Sequence, residues 1–399
     1  FPVVFPIRPV ATARGEVLWQ AASLHSSQVA RMSDAAETFD AVVIGGGAAG
    51  LMCAFTAGQR GRSVLVVEHA NRVGKKILMS GGGRCNFTNL HAKPANFLSA
   101  NPHFCKSALA RYTQHDFIAM VERHGIAWHE KELGQLFCDV SSKLIVQMLV
   151  DECREANVVI RTGCGVEDIA HRDGGYDLRT SAGQVRCASL VIASGGLSIP
   201  SMGASGFGYE LARQFGHALL PTRAALVPLT LSGRPLEHNE GLSGVALDVE
   251  ARANGQVFRG GMLFTHRGLS GPAILQISSY WQPGDALHID LLPDCDAAKW
   301  LRERQRAQPA MELRNALAEL MPKRVAQRLC EHDLGQHLLR QLQPPLLARI
   351  AQTLHAWPVV ASGTEGYRTA EVTLCGVDTN GLSSTTMESK TVRGLYFIG

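Results

Sequence analysis

Three glycines spaced G-x-G-x-x-G, with an acid eighteen residues beyond the last, are the part of this chain best suited to chemistry. Gly45, Gly47 and Gly50 follow an apolar run from Ala41 to Ile44 and open a helical one from Leu51 to Arg60. The order gives each glycine a task. The first allows a tight turn, the second lets a pyrophosphate approach the backbone, and the third lets helix pack on strand. Free N–H groups around Ala48 and Ala49, with the positive end of the helix dipole, then stabilise phosphate charge without a basic side chain. Glu68 closes a second buried run, Ser63 to Val67, where a carboxylate accepts hydrogen bonds from the adenosine ribose hydroxyls. An acid there fits FAD or NAD and argues against a 2′-phosphate.

The next stretch, Val73 to Asn89, is too rich in glycine and polar residues for ordinary packing. Lys75, Lys76 and Arg84 can offset pyrophosphate charge, Gly82 and Gly83 allow close backbone approach, and Asn86 can bond a ring edge. The alternative is a flexible surface loop. Cys85 has no basic neighbour in sequence and reads as an inert thiol. Leu190 to Gly196 is an apolar strand ending in Ala193, Ser194 and Gly195, suited to a second pass of sheet under the cofactor. Val166 is a weaker candidate for meeting the adenine through its backbone. His266 and Arg267 place an acid–base group beside an anion holder, although such a pair is more often structural. From Leu226 to Gly399 no second glycine fingerprint follows a strand, so NAD(P)H would reach a flavin only transiently.

To position these residues, the chain alternates strands (Ala41–Ile44, Val64–Val67, Val158–Ile160, Leu190–Ala193) with helices (Lys106–His124, Lys143–Ala156, Gly208–Phe215), the pattern of a doubly wound α/β domain. Period-2 strands follow from Leu226, with Asn254-Gly255 as a two-residue hairpin turn and a further strand at Ala286–Leu292. A helical run from Asp294 to about His355 comes next, and strand character returns at Thr369–Leu374 and Gly394–Ile398. The expected division is a disordered or non-native extension over 1–35, an FAD-binding domain over 36–224 and 370–399 with a truncated C-terminus, a β-barrel-like domain over 225–293 and 358–369, and a helical insert over 294–357.

Bulk properties narrow the function. Of 399 residues, 46% are hydrophobic, enough for large cores, and a net charge of +4 implies no general attraction to nucleic acid or membrane. The ten cysteines lack a C-x-x-C pair, which favours reduced thiols in the cytoplasm and removes dithiol redox chemistry. No apolar run is long enough to cross a bilayer, and no metal-ligand spacing is present. Leu301 to Ile350 carries nine Lys/Arg against five Asp/Glu. This reads first as the solvated faces of helices and second as a partner surface, through which a flavin-binding partner protein would contact RNA.

The fingerprint, together with Val73–Lys76, Ser80–Asn86, Ala224–Leu229, Phe264–Pro272 and Thr386–Lys390, resembles the BaiN-like (YhiN-like) flavoproteins, a family of NAD(P)/FAD-dependent oxidoreductases that includes aminoacetone oxidase-like members. The resemblance runs from about Phe39 to Gly399. It implies FAD held in a split domain of the two-dinucleotide-binding type, with an inserted β-barrel-like domain and a helical insert. It also places Gly399 at the flavin, and Cys375 where the family often has glycine. The expected function is an FAD-dependent oxidoreductase passing a hydride between flavin N5 and a small organic substrate, with NAD(P)H as reductant. An amine oxidase, or a non-catalytic flavin protein contacting RNA, is the alternative.

Overall fold

The structure, a computed structural model, describes residues 36–399; the extension expected over 1–35 lies outside them. Strand β1 (Glu37–Ile44), helix α1 (Ala48–Gln59) and strand β2 (Val64–Glu68) form the βαβ unit. Alternation of side chains sends Val43, Val64 and Val66 to one face, and Val42, Ile44, Leu65 and Val67 to the other. Both faces are covered, which is why these strands read as unbroken apolar runs. The parallel order is Val159–Thr162, β2, β1, Gly183–Ile192 and Leu395–Phe397. The first half of the long Gly183–Ile192 strand pairs instead with an antiparallel ribbon, Gly175–Thr180 and Val166–Arg172. This is a Rossmann-type α/β fold, the class the sequence implied.

One expected helix differs. Lys106–His124 is two helices, Lys106–Arg111 and Gln114–Arg123. Thr113 caps the second through a reciprocal pair of bonds. Its Oγ1 accepts from Asp116 N at 3.3 Å, and the Asp116 carboxylate accepts from Thr113 N at 2.7 Å. This capping box starts a new helix rather than letting the first run on.

The middle of the chain forms a seven-stranded antiparallel sheet ordered Trp357–Val359, Leu287–Asp290, Ala246–Ala253, Gln256–Thr265, Gly268–Ser270, Leu229–Thr230 and Gly363–Thr364. Asn254 and Gly255 make its hairpin turn with φ of 49° and 74°. The two edge strands are joined by residues 360–362 alone. Seven strands laid flat would separate the edges by about 29 Å, whereas this link spans at most about 14 Å. The sheet must therefore curl on itself. Helices Ala297–Ala307, Leu313–Leu317, Lys323–Leu329 and Pro344–His355 pack against it, and Leu301, Leu317 and Leu354 share one buried cluster with Phe264, Trp281 and Ile289.

Behind α1, Glu152 ties three helices together. Its carboxylate accepts from Gln59 Nε2 at 3.0 Å near the end of α1, meets His124 Nε2 at 2.8 Å, and pairs with Arg123. Burial pushes this carboxyl up, but the bonds from His124 and Arg123 and the nearby charge outweigh burial and hold it below its ordinary value. A carboxyl with a lowered folded value adds stability that is present above its unfolded value and lost on acidification. Glu152→Gln is expected to cost about 1–3 kcal/mol at neutral pH, the range for a buried group losing a charged partner. In urea unfolding, the gap between wild type and variant should be complete above the ordinary value of 4.5 and shrink as pH falls through the lower folded value.

Candidate functional site

The turn between β1 and α1 is built around backbone contacts too close for any side chain. Gly45 has φ of 112°, and a Cβ there would lie 2.4 Å from the Ala193 carbonyl oxygen. A Cβ on Gly50 would lie 1.9 Å from the Gly45 oxygen. Gly47 is different, because a Cβ on it would meet no protein atom within 4 Å. Its bareness faces open space at the start of α1, where no side chain caps the free N–H groups. Among the described residues, nothing in the protein explains that glycine. A phosphate seated on the helix N-terminus does.

The space it faces is a cleft of about 980 Å³, at the upper end of the range for ligand sites, about 300–1,000 Å³. Gly45, Gly47, Ala48, Ala49, Glu68, Lys75, Lys76, Ala193, Ser194, Gly195 and Gly399 all border it. Glu68 is 9% exposed. Its Oε2 accepts from Gly46 N and its Oε1 from Ala70 N, both at 2.8 Å. His69 Nδ1 lies 3.2 Å from Oε1 as well; a carboxylate offers about four acceptor positions, so capacity remains for a ribose hydroxyl. The donor set therefore fits a dinucleotide of the FAD type.

Gly50 sits behind the cleft as the packing glycine. Gly82, Gly83, Arg84, Asn86, Val166, His266 and Arg267 do not border it. The Ser80–Arg84 turn is held from below: Gly83 O accepts from Ser142 N at 2.8 Å, and Arg84 O from Cys138 N at 2.9 Å. Arg84 and Asn86 are exposed. Cys85 is buried, and burial pushes its thiol up. His266 and Arg267 are exposed at a hairpin turn, where Thr265 Oγ1 accepts from the N–H groups of Arg267 (3.2 Å) and Gly268 (3.1 Å). A Cβ on Gly268 would lie 2.3 Å from Leu229 O, and one on Gly271 2.5 Å from Gly261 O. Hairpin geometry accounts for Thr265, Gly268 and Gly271 in this motif.

Several cleft residues carried no signal in the sequence reading. Thr373 Oγ1 accepts from Leu197 N and Ser198 N at 2.9 and 3.1 Å, fixing the loop after Gly195. Ser198 in turn accepts from Lys76 Nζ at 2.7 Å, and desolvation lowers that ammonium from its ordinary value. Tyr209 and Glu371 border the same space, and burial raises both. Cys375 has φ of 66°, the left-handed region that favours glycine. That conformation is the physical counterpart of the glycine common at this place in the resembling family. Among the described residues, no group of three or more His, Cys, Asp or Glu is placed to hold a metal ion, and no helix is long and apolar enough to cross a membrane.

A family model described as HI0933-like protein Rossmann domain matches residues 39–399. The chain is 57% identical over 367 residues to the ribosomal RNA dihydrouridine synthase of Escherichia coli (strain K12), covering 91% of each chain. It is 45% identical to the protein of that name from Haemophilus influenzae, covering 90% of each. A third relative is the 3-dehydro-bile acid delta(4,6)-reductase of Clostridium scindens, at 28% identity over 90% of this chain and 91% of its own. These relatives are a synthase and a reductase rather than an aminoacetone oxidase. They also overturn the expectation that nucleic acid is not a partner, since two of them are named for ribosomal RNA. The small net charge behind that expectation is a whole-chain average, and an average is blind to where charge lies.

The glycine geometry gives a paired test. Gly50→Ala should destabilise the FAD-free protein by about 1–3 kcal/mol or more through backbone overpacking. Gly47→Ala should leave its melting temperature within about a degree of wild type, because Ala tolerates that backbone, while weakening FAD binding at least about tenfold through the blocked phosphate approach. Thermal melts and FAD titration of the two variants check this.

Proposed function

This chain belongs to the HI0933-like family, and we propose that it is an FAD-dependent oxidoreductase that reduces uridine in ribosomal RNA to dihydrouridine, with NAD(P)H as electron source. The observation that carries the reading is 57% identity to a ribosomal RNA dihydrouridine synthase across 91% of both chains; the cleft-forming segments lie within the residues 39–399 that the family model matches. The reaction adds two hydrogens across one ring double bond, a hydride to one carbon and a proton to its neighbour. FAD, when bound, supplies the hydride after taking it from the nicotinamide.

The protein's part is to bind, orient and hold protons. Backbone N–H groups at Ala48 and Ala49 would meet the pyrophosphate of bound FAD, and Glu68 would hold its adenosine ribose. Lys76, anchored on Ser198, brings positive charge to the cleft wall. Proton-bearing groups face the same space. Burial raises the Tyr209 hydroxyl above its ordinary value, and desolvation pushes the Glu371 carboxyl toward its neutral form. With free thiols throughout and RNA as substrate, the cytoplasm is the matching compartment.

The test is anaerobic. NADPH or NADH added to the FAD-loaded protein should bleach the flavin, and unmodified ribosomal RNA transcribed in vitro should then restore the colour. Mass spectrometry should find a uridine heavier by two hydrogens. A flavin that reduces but leaves RNA unchanged would remove the RNA substrate. A flavin that neither nucleotide bleaches, with peroxide released from an amine, would favour the oxidase.

A further inference from the structure

From His69 to His115 the chain contains no Asp or Glu, although it averages one acid in about eleven positions, 35 in 399. The same stretch carries seven basic residues, Arg72, Lys75, Lys76, Arg84, Lys93, Lys106 and Arg111, and all but Lys75 are exposed. Among the described residues, none of the seven pairs with a carboxylate. The helical segment that looked basic in sequence is different, because Arg304 pairs with Glu319, Arg314 with Glu312 and Arg328 with Glu331. Acids on neighbouring turns offset much of its charge, whereas nothing offsets the charge of residues 69–115.

The free charge also lies beside the cleft. Arg72, Lys75 and Lys76 border it. Further along, Arg111 donates to the carbonyl oxygen of Thr385, in the turn whose Met387 borders the cleft as well. Between these points, Phe97 and Leu98 stand on the cleft edge, 48% and 39% exposed. An aromatic ring left half in water beside unpaired cations is the arrangement of a single-strand binding surface, where cations follow phosphates and rings stack on bases.

We propose that residues 69–115 form the edge on which single-stranded RNA lies, its phosphates on the unpaired lysines and arginines and one base stacked on Phe97 at the cleft mouth. The proposal rests on the reading of RNA as substrate given above, and it specifies which surface meets that substrate. It places the RNA on the FAD-binding part of the molecule rather than on the helical segment.

The experiment is fluorescence anisotropy of a labelled single-stranded ribosomal RNA fragment against FAD-loaded protein over a range of salt concentrations. The double variant Lys93→Gln/Lys106→Gln should keep its FAD content and melting temperature, yet its log–log salt slope should be shallower by about 1.4, about 0.7 for each lost phosphate contact. Arg302→Gln/Arg306→Gln, in the helical segment, should match wild type. Phe97→Ala should weaken binding about tenfold without changing the slope, because stacking releases no counterions. If the helical pair changes the slope and the lysine pair does not, the placement is overturned while the RNA reading stands. If wild type shows no binding even at low salt, both fall. A Phe97→Ala protein that loses FAD rather than RNA affinity would overturn the stacking role.

Discussion

The site depends on three backbone segments meeting without side chains between them. The Gly45 carbonyl, the first turn of α1 at Gly50 and the end of the Gly183–Ile192 strand at Ala193 lie closer than any Cβ permits. This contact fixes where α1 begins. It therefore fixes where its unsatisfied N–H groups point and where the pyrophosphate of a dinucleotide must sit. Glu68 follows from the same constraint, because β2 pairs with β1 in register from Ala41↔Val64 to Ile44↔Val67, and one residue further on its carboxylate is held by Gly46 N. Glu152 steadies the other end of α1 from behind. The proposed phosphate and ribose subsites thus follow from one packing arrangement rather than from separate features.

Charge adds a second layer. The fold supplies the start of α1 to the cleft through backbone geometry, with no side chain capping it, while the acid-free stretch that follows β2 adds unpaired cations along the rim. The two are compatible because they act on different partners: directed N–H groups on the pyrophosphate, and diffuse, salt-sensitive attraction on a polyanion. A large acidic or basic excess in the whole chain was not needed for this. Within the +4 total, residues 69–115 hold seven Lys/Arg and no acid, and residues 301–350 hold nine Lys/Arg against five acids, so the rest of the chain is net acidic.

Much of this was legible in the sequence where chemistry is local. The βαβ unit, Glu68 and the Asn254-Gly255 hairpin each carry their signal within a few residues, because turn, strand and cap geometry are short-range. What was missed is non-local or needs a different question. The break at Thr113 has a short-range signature in Thr113 and Asp116, but the periodicity of the flanking segments ran across it. Thr373, Ser198 and Tyr209 reach the cleft from three distant segments, and no spacing announces them. The glycine-rich turn at Gly82–Arg84 and the Thr265–Pro272 motif looked chemical because glycines and charges cluster there; the structure gives Gly82 and Gly83 left-handed φ of 66° and 89°, and gives Gly268 and Gly271 tight backbone approaches. The run without acids from His69 to His115 is visible as composition, but the helical segment holds more cations in total; there five acids are interleaved with them, and Arg304, Arg314 and Arg328 are paired.

The central claim is that the cleft recognises both halves of a dinucleotide through the start of α1 and Glu68. Titration of the flavin-free protein with FAD and with FMN, which lacks the adenosine half and the pyrophosphate, tests it most directly. The account predicts that FAD binds at least about a hundredfold more tightly, roughly the 2.7 kcal/mol expected from losing several phosphate and ribose bonds. Equal affinity for the two flavins would contradict it, because the fingerprint turn and Glu68 would then have no role in holding the cofactor.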